Sequence, residues 1–270
     1  MTDQNGGDAV FTRGGLPMAG RMASMMPPLL LLAGFALPAT AATLVLPQIA
    51  VGGGYTTTIM VMTGGTATGM NHLTLRDQNG NPLTVRSGGS LPWSETSFSL
   101  PPYGSQVWKL EPTSPDGELQ VGSAVVLNDA PQGTIYGVAT FEYRVGGVLR
   151  TAVGVIGSEP VDGVTIPVDS DDGESRYPGF AVANLTVDDL DLTVTLFDLG
   201  GKQAYRFQLR VPKQGQIARF LRELVPGTAR FKGLMVIKAA AGGRFAAVAL
   251  SMRSEVFASL PVIPAALYPF

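Results

Sequence analysis

A chain of 270 residues with 45% hydrophobic and 15% charged side chains has enough apolar surface for a core and is unlike an intrinsically disordered sequence. A net charge of -2 excludes a strongly basic binder of nucleic acid. With no cysteine and one histidine, disulfide frameworks, thiolate or multi-histidine zinc sites and cysteine nucleophiles are excluded as well.

Residues 1–26 are polar and glycine-rich with Arg13 and Arg21 as their only cations, and an apolar run follows at 27–37. Ala39-Thr40-Ala41 then fits the small-x-small pattern that a signal peptidase accepts, so residues 1–41 read as a signal peptide cleaved before Ala42. The competing reading is an uncleaved anchor. Pro28, Pro38 and two threonines interrupt residues 27–46, whereas a spanning helix needs about 20 unbroken apolar residues. The mature chain is therefore expected without a membrane span, in an extracellular or periplasmic space, and cysteine-free export points to a bacterial source.

Thirty-four glycines and twenty prolines punctuate the rest into short segments. Period-two or β-branched runs predict strands at 57–62, 72–75, 119–127, 134–143 and 148–156. Asp77-Gln78-Asn79-Gly80-Asn81, Arg144-Val145-Gly146-Gly147-Val148 and Gly200-Gly201 predict hairpins, because Asn and Gly tolerate the positive φ of tight turns.

The chain also repeats itself. Leu73-Thr74-Leu75-Arg76-Asp77-Gln78-Asn79-Gly80 aligns with Val194-Thr195-Leu196-Phe197-Asp198-Leu199-Gly200-Gly201 at an offset of 121 residues. Leu44-Val45-Leu46-Pro47 meets Val164-Thr165-Ile166-Pro167 at 120, Leu100-Pro101-Pro102-Tyr103-Gly104 meets Val211-Pro212-Lys213-Gln214-Gly215 at 111, and Val138-Ala139 meets Val248-Ala249 at 110. The fall in offset places about ten extra residues in the first copy, near 86–95. Ordered matches with one localised insertion predict a duplication, with one domain at 42–160 and a second at 161–270. Each is the size of a β-sandwich, so the expected fold class is all-β: two tandem antiparallel sandwiches. One segment departs from the strand pattern. Ile217, Phe220, Leu221 and Leu224 follow helical spacing up to Pro226-Gly227, predicting a short connector helix over 217–225 in the second copy, while the matching stretch 106–111 stays extended.

Candidate sites are few. A serine hydrolase would have to use His72 as its base, and alternation with Leu73 and Leu75 puts His72 on the solvent side of its strand. No G-x-S-x-G is present, and Glu95, Glu118, Glu142 and Glu159 are scattered, so no enzyme activity is expected and no catalytic residue is named. Asp169-Ser170-Asp171-Asp172-Gly173-Glu174 is the sharpest charge cluster. It reads either as a hydrated turn or as a weak calcium site with Asp169, Asp171, Asp172 and Glu174 as ligands, although it lacks the EF-hand spacing. Asp188, Asp189 and Asp191 form a second acidic stretch, read as a solvated loop. Trp93 lies in the insertion, placed either to meet a sugar or protein partner or to fold back over an edge, and Trp108 reads as core. The apolar, proline-rich tail at 260–270 is expected to dock along the fold or to engage a partner by strand addition.

The repeated Leu-Thr-Leu-x-Asp-x-x-Gly hairpin and the run Gln216-Ile217-Ala218-Arg219-Phe220-Leu221 resemble tandem Ig-like, fibronectin III-like repeats of secreted bacterial proteins of uncharacterised function, over residues 44–264. The resemblance implies a spacer, adhesion or surface-interaction role with a protein or surface glycan as partner, and it carries over no active site. The alternative is a carbohydrate-binding or carbohydrate-degrading protein using the Trp93 loop. No nucleic-acid partner is expected, and the sequence does not fix an oligomeric state.

Overall fold

A computed structural model describes residues 42–114, 117–129 and 134–265; the expected leader, 1–41, and the last five residues lie outside the described residues. The strands, in chain order, are β1 (Ala42–Val51), β2 (Tyr55–Thr63), β3 (Asn71–Asp77), β4 (Glu95–Phe98), β5 (Ser105–Leu110), β6 (Gln120–Asn128), β7 (Ile135–Val145) and β8 (Val148–Ile156). They continue as β9 (Gly163–Asp171), β10 (Arg176–Asn184), β11 (Leu190–Asp198), β12 (Gln203–Val211), β13 (Gln216–Phe220), β14 (Arg230–Ala239), β15 (Phe245–Arg253), β16 (Val256–Leu260) and β17 (Ile263–Pro264). The fold is all-β, and every strand pairing is antiparallel.

In the first half the strands pair in the orders β1-β6-β3-β4 and β5-β2-β7-β8. In the second half β9-β14-β11-β12 and β13-β10-β15-β16 repeat both orders with every label raised by eight. A single residue pair, Asp171 with Arg176, joins β9 to β10, so the second half forms one continuous sheet.

Local chemistry accounts for these elements. Leu190, Leu192, Val194 and Leu196 alternate along β11 and point inward, and burying each contributes roughly 1.5–3 kcal/mol. Leu73 and Leu75 do the same in β3. At the end of β3 the Asp77 carboxylate accepts from the amides of Asn79 and Asn81 at 2.8 and 2.9 Å. At the end of β11 Asp198 accepts from Gly200 and Lys202, both at 2.9 Å. These aspartate turns close both hairpins in the same way. The register of β1 against β6 shifts between Leu46 and Ile49, where Pro47 has no amide to donate to the ladder.

Two large apolar clusters result. The first draws on β1, β3 and β6 from one sheet and β2, β5, β7 and β8 from the other; the second draws on β9 to β15 and on Leu221. Trp108 is buried in the first, edge-on to Phe98 at 4.8 Å.

The helix expected over 217–225 is shorter than its apolar spacing implies. Ile217 to Phe220 belong to β13, paired with β10 from Val182 to Gly179, and α1 covers only Leu221–Leu224. Ile217, Phe220, Leu221 and Leu224 satisfy both periods, and the open edge of β10 decides for the strand. Pro226 begins a 3-10 turn that ends the helix. Near the C-terminus β17 docks on β9, Ile263 opposite Thr165, and Ala265 is buried. No helix among the described residues is long and apolar enough to cross a membrane.

Candidate functional site

Strands β10 and β15 are buried on both faces, with Phe180 to Asn184 and Phe245 to Ala249 forming unbroken buried runs. Phe180, Val182, Phe245, Ala247 and Ala249 face the second cluster, while Ala181 and Val248 join the first. The sheet β13-β10-β15-β16 therefore lays its outer face on the first half. Its contact row, Ala218–Ala181–Val248, runs straight across three strands, and small side chains there let the backbones come close. Val45 packs against Ala183 and Ala246.

The surface receiving this row is the flank of the first half where β1, β6, β2 and β7 end. There Ala50 is opposite Val121, and Tyr55 is opposite Tyr143, the two rings stacked at 4.5 Å. Burial, reinforced by Tyr143 and Glu255, raises the pKa of the Tyr55 phenol. Gln216 donates to Gln48 across the joint, and the Phe257 amide donates to the Thr151 hydroxyl at 3.0 Å. The joint is incompletely filled, leaving an apolar cavity of about 270 Å³ between Tyr55, Phe141, Phe180, Phe220, Leu250 and Phe257, with Arg219 and Glu223 in its wall. Chemically it suits a small apolar group.

The common strand order gives each joint residue a counterpart. Val138 and Val248 hold equivalent positions, because Ile59 pairs with Ala139 as Phe180 pairs with Ala249. The row Ala218–Ala181–Val248 thus corresponds to Val107–Met60–Val138 on the first half, which Ile156 extends onto β8. Ala181 and Val248 are buried and Ala218 half-buried, but Val107 is 51% and Ile156 78% exposed, with Met60 and Val138 half-buried. Tyr136, 54% exposed, stands beside them.

The flank shows the opposite contrast. Where the first half pairs Ala50 with Val121 and Tyr55 with Tyr143, the second pairs Asp169 with Lys232 and Arg176 with Arg253. Arg176 bridges Asp169 and Glu174, Lys232 reaches Asp169 at 3.7 Å, and Arg253 reaches Glu174 at 3.5 Å. Partial burial works against the Arg176 charge, but Asp169 and Glu174 more than offset it and raise its pKa.

Of the proposed calcium ligands, Asp169 and Glu174 share Arg176, and Asp171 accepts from the Gly173 amide at 3.0 Å as the cap of a 3-10 turn that includes Asp172 and Glu174. Among the described residues no three acidic or histidine side chains gather into a group fit to hold a metal. Trp93 exchanges two backbone hydrogen bonds with Val85, both 2.9 Å, and its half-buried side chain packs on the first cluster. His72 links Ser97 Oγ, 2.9 Å from Nδ1, to Asp129 Oδ2, 3.0 Å from Nε2. With the His72 and Asp129 side chains 43% and 58% exposed, this chain of side chains lies on an open sheet face and ties β4 and the end of β6 to β3. Asp189 accepts from the Lys213 amide at 3.0 Å and Arg210 at 3.1 Å, in that order the reasons its carboxyl is held below the usual aspartate range.

The Val107–Met60–Val138–Ile156 row was not singled out from the sequence. Its trace there is Met60 and Met62, apolar residues at the outward positions of β2.

No protein-family model matches the chain, and no curated protein does. Among solved structures, the crystal structure of the vicilin from Solanum melongena, described as revealing different anionic ligands in structurally similar pockets, matches with a TM-score of 0.22 and 9% identity. The match covers 78% of this chain and 72% of that one, and a likeness this slight carries no argument.

Proposed function

We propose that the chain is an exported, non-enzymatic pair of Ig-like β-sandwiches, produced by duplication, that serves as a structural or adhesive interaction module outside the cell. Three observations support the duplication: the strand orders repeat with labels eight apart, Asp77 and Asp198 close matching turns, and Gly122 and Gly233 hold equivalent places beside them. Export rests on the leader reading of residues 1–41, in which Ala39-Thr40-Ala41 supplies the small-x-small cleavage pattern.

The observation that carries the interaction role is the apolar Val107–Met60–Val138–Ile156 row, exposed at Val107 and Ile156, whereas Ala181 and Val248, the counterparts of Met60 and Val138, are buried in the joint. The carbohydrate reading has weaker support, because the Trp93 indole is half-buried against the first cluster.

The test is binding of labelled residues 42–270 to intact cells of the producing organism and to a glycan array, alongside Met60→Lys and Trp93→Ala. The interaction reading expects cell binding that Met60→Lys abolishes and Trp93→Ala spares. A sugar-specific signal lost only in Trp93→Ala would move the assignment to a carbohydrate-binding protein.

A further inference from the structure

We infer that two copies of this chain associate face to face through the outer surface of the β5-β2-β7-β8 sheet, each covering the other's Val107–Met60–Val138–Ile156 row about a twofold axis. This rests on the interaction-module reading and names the partner.

The same surface already forms an interface within the chain. In the second half its counterpart, Ala218–Ala181–Val248, is the row that lies against the first half. A second copy cannot repeat that docking. Its own second half fills the apolar flank at Ala50, Val121 and Tyr55, and its other flank carries Asp169, Arg176, Lys232 and Arg253. Pressing those ions onto valine and methionine would strip their water without supplying partners. Side-chain size points the same way. The joint uses alanines for close approach, whereas Met60, Val107 and Ile156 suit two sheets stacked about 10 Å apart with side chains interdigitating.

The face is compatible with itself. Most of its charges pair locally, Glu142 with Arg144 at 3.0 Å and Lys109 with Glu111 at 3.9 Å, and the exposed Arg150 lies toward the β7–β8 turn, at the far end of β8 from Ile156. Next to the apolar row, Met62 and Tyr136 form one register line and Thr58 and Thr140 the other. A twofold through the row therefore sets apolar on apolar, an isologous contact. Four strands at about 4.8 Å spacing make a narrow patch, at the small end of specific interfaces, so the dissociation constant is expected in the micromolar range.

Sedimentation equilibrium of residues 42–270, from about 1 to 200 µM, tests this. The expected result is a concentration-dependent dimer whose dissociation constant rises at least tenfold in Met60→Lys and in Ile156→Lys and is unchanged in Leu199→Lys, an exposed site in the β11–β12 turn. Ile156 is 78% exposed, so its lysine variant keeps the fold even if Met60→Lys does not, and a thermal melt verifies each. A monomer at every concentration, or a dimer indifferent to both lysines, overturns the inference. If the chain is a monomer and Met60→Lys still abolishes cell binding, only the identity of the partner fails. A monomer whose cell binding ignores Met60→Lys removes the interaction-module reading as well.

Discussion

Tyr103 and Gln214 occupy the same left-handed conformation, with φ of 57° and 52°, each one residue before a glycine whose amide closes a turn onto a proline carbonyl. The Gly104 amide reaches Pro101 at 2.8 Å, and the Gly215 amide reaches Pro212 at 2.9 Å. Turns of this kind favour glycine at the position that Tyr103 and Gln214 hold, since a side chain there costs roughly 1–2 kcal/mol. Gln214→Gly should therefore raise stability by about 0.5 kcal/mol after the greater freedom of the unfolded chain is counted. Urea unfolding, read as a higher midpoint at unchanged slope, checks it.

Gly122 and Gly233 face the opposite demand. A Cβ at Gly122 would lie 1.9 Å from the Arg76 carbonyl oxygen, and one at Gly233 1.9 Å from that of Phe197. The obstacle in each case is backbone, which cannot swing aside. Gly122→Ala and Gly233→Ala should each destabilise by about 3 kcal/mol or more. A fully folded variant with an unchanged melting temperature would mean that β3–β6 and β11–β14 do not approach as described.

How far the sequence discloses this architecture depends on the range of the interaction. The Asp77 and Asp198 turns are legible because their chemistry spans four residues, and β3 and β11 because alternation is local. The 217–225 segment is read too far as helix because its apolar spacing fits both periods, and pairing with β10, 35 or more residues away in sequence, is what chooses. The acidic loop is visible as charge, but its partners Arg176, Lys232 and Arg253 come from three strands. The Met60 row is the least legible, since outward apolar positions acquire meaning only once register equates them with Ala181.

Asp189 ties the loop before β11 to the turn after β12 through the Lys213 amide and to the end of β12 through Arg210. Its folded pKa is lowered, so its contribution is fully present above the unfolded value of about 3.9 and disappears as pH falls through the lower folded value. Asp189→Asn should lower the melting temperature at pH 7, and the gap to the parent should close as the pH falls below the ordinary aspartate range. A gap that persists unchanged in acid would assign the effect to something other than this carboxylate's charge.

Calcium would have to compete with cations already in place around Asp169 and Glu174. Arg176 serves both, and Lys232 and Arg253 add to it. A divalent ion would displace these bonds and would still lack the six to eight oxygens it prefers. Melting in 1 mM calcium and in chelator should therefore give the same midpoint. A chelator-sensitive midpoint would show that Asp171 and Asp172 recruit the ion despite the arginines.

The charged flank of the second half should be what stops the chain from extending by the contact that joins its two halves. Solenoid repeats end in the same way, with a polar surface on the terminal unit. Asp169→Ala, Arg176→Tyr, Lys232→Val and Arg253→Tyr together rebuild on the second half the flank that Ala50, Tyr55, Val121 and Tyr143 form on the first. Met60→Ala and Val107→Ala reproduce, on the first half, the small residues Ala181 and Ala218 that allow close docking. A chain carrying both sets has one complementary face at each end. Head-to-tail contacts of that kind build rings or open filaments, so it should form species beyond a dimer that grow with concentration. Light scattering would report the growth as mass, and adding Val138→Lys should reverse it. If the combined variant folds and keeps the parent's mass at every concentration, register equivalence between the halves does not govern how the joint is made.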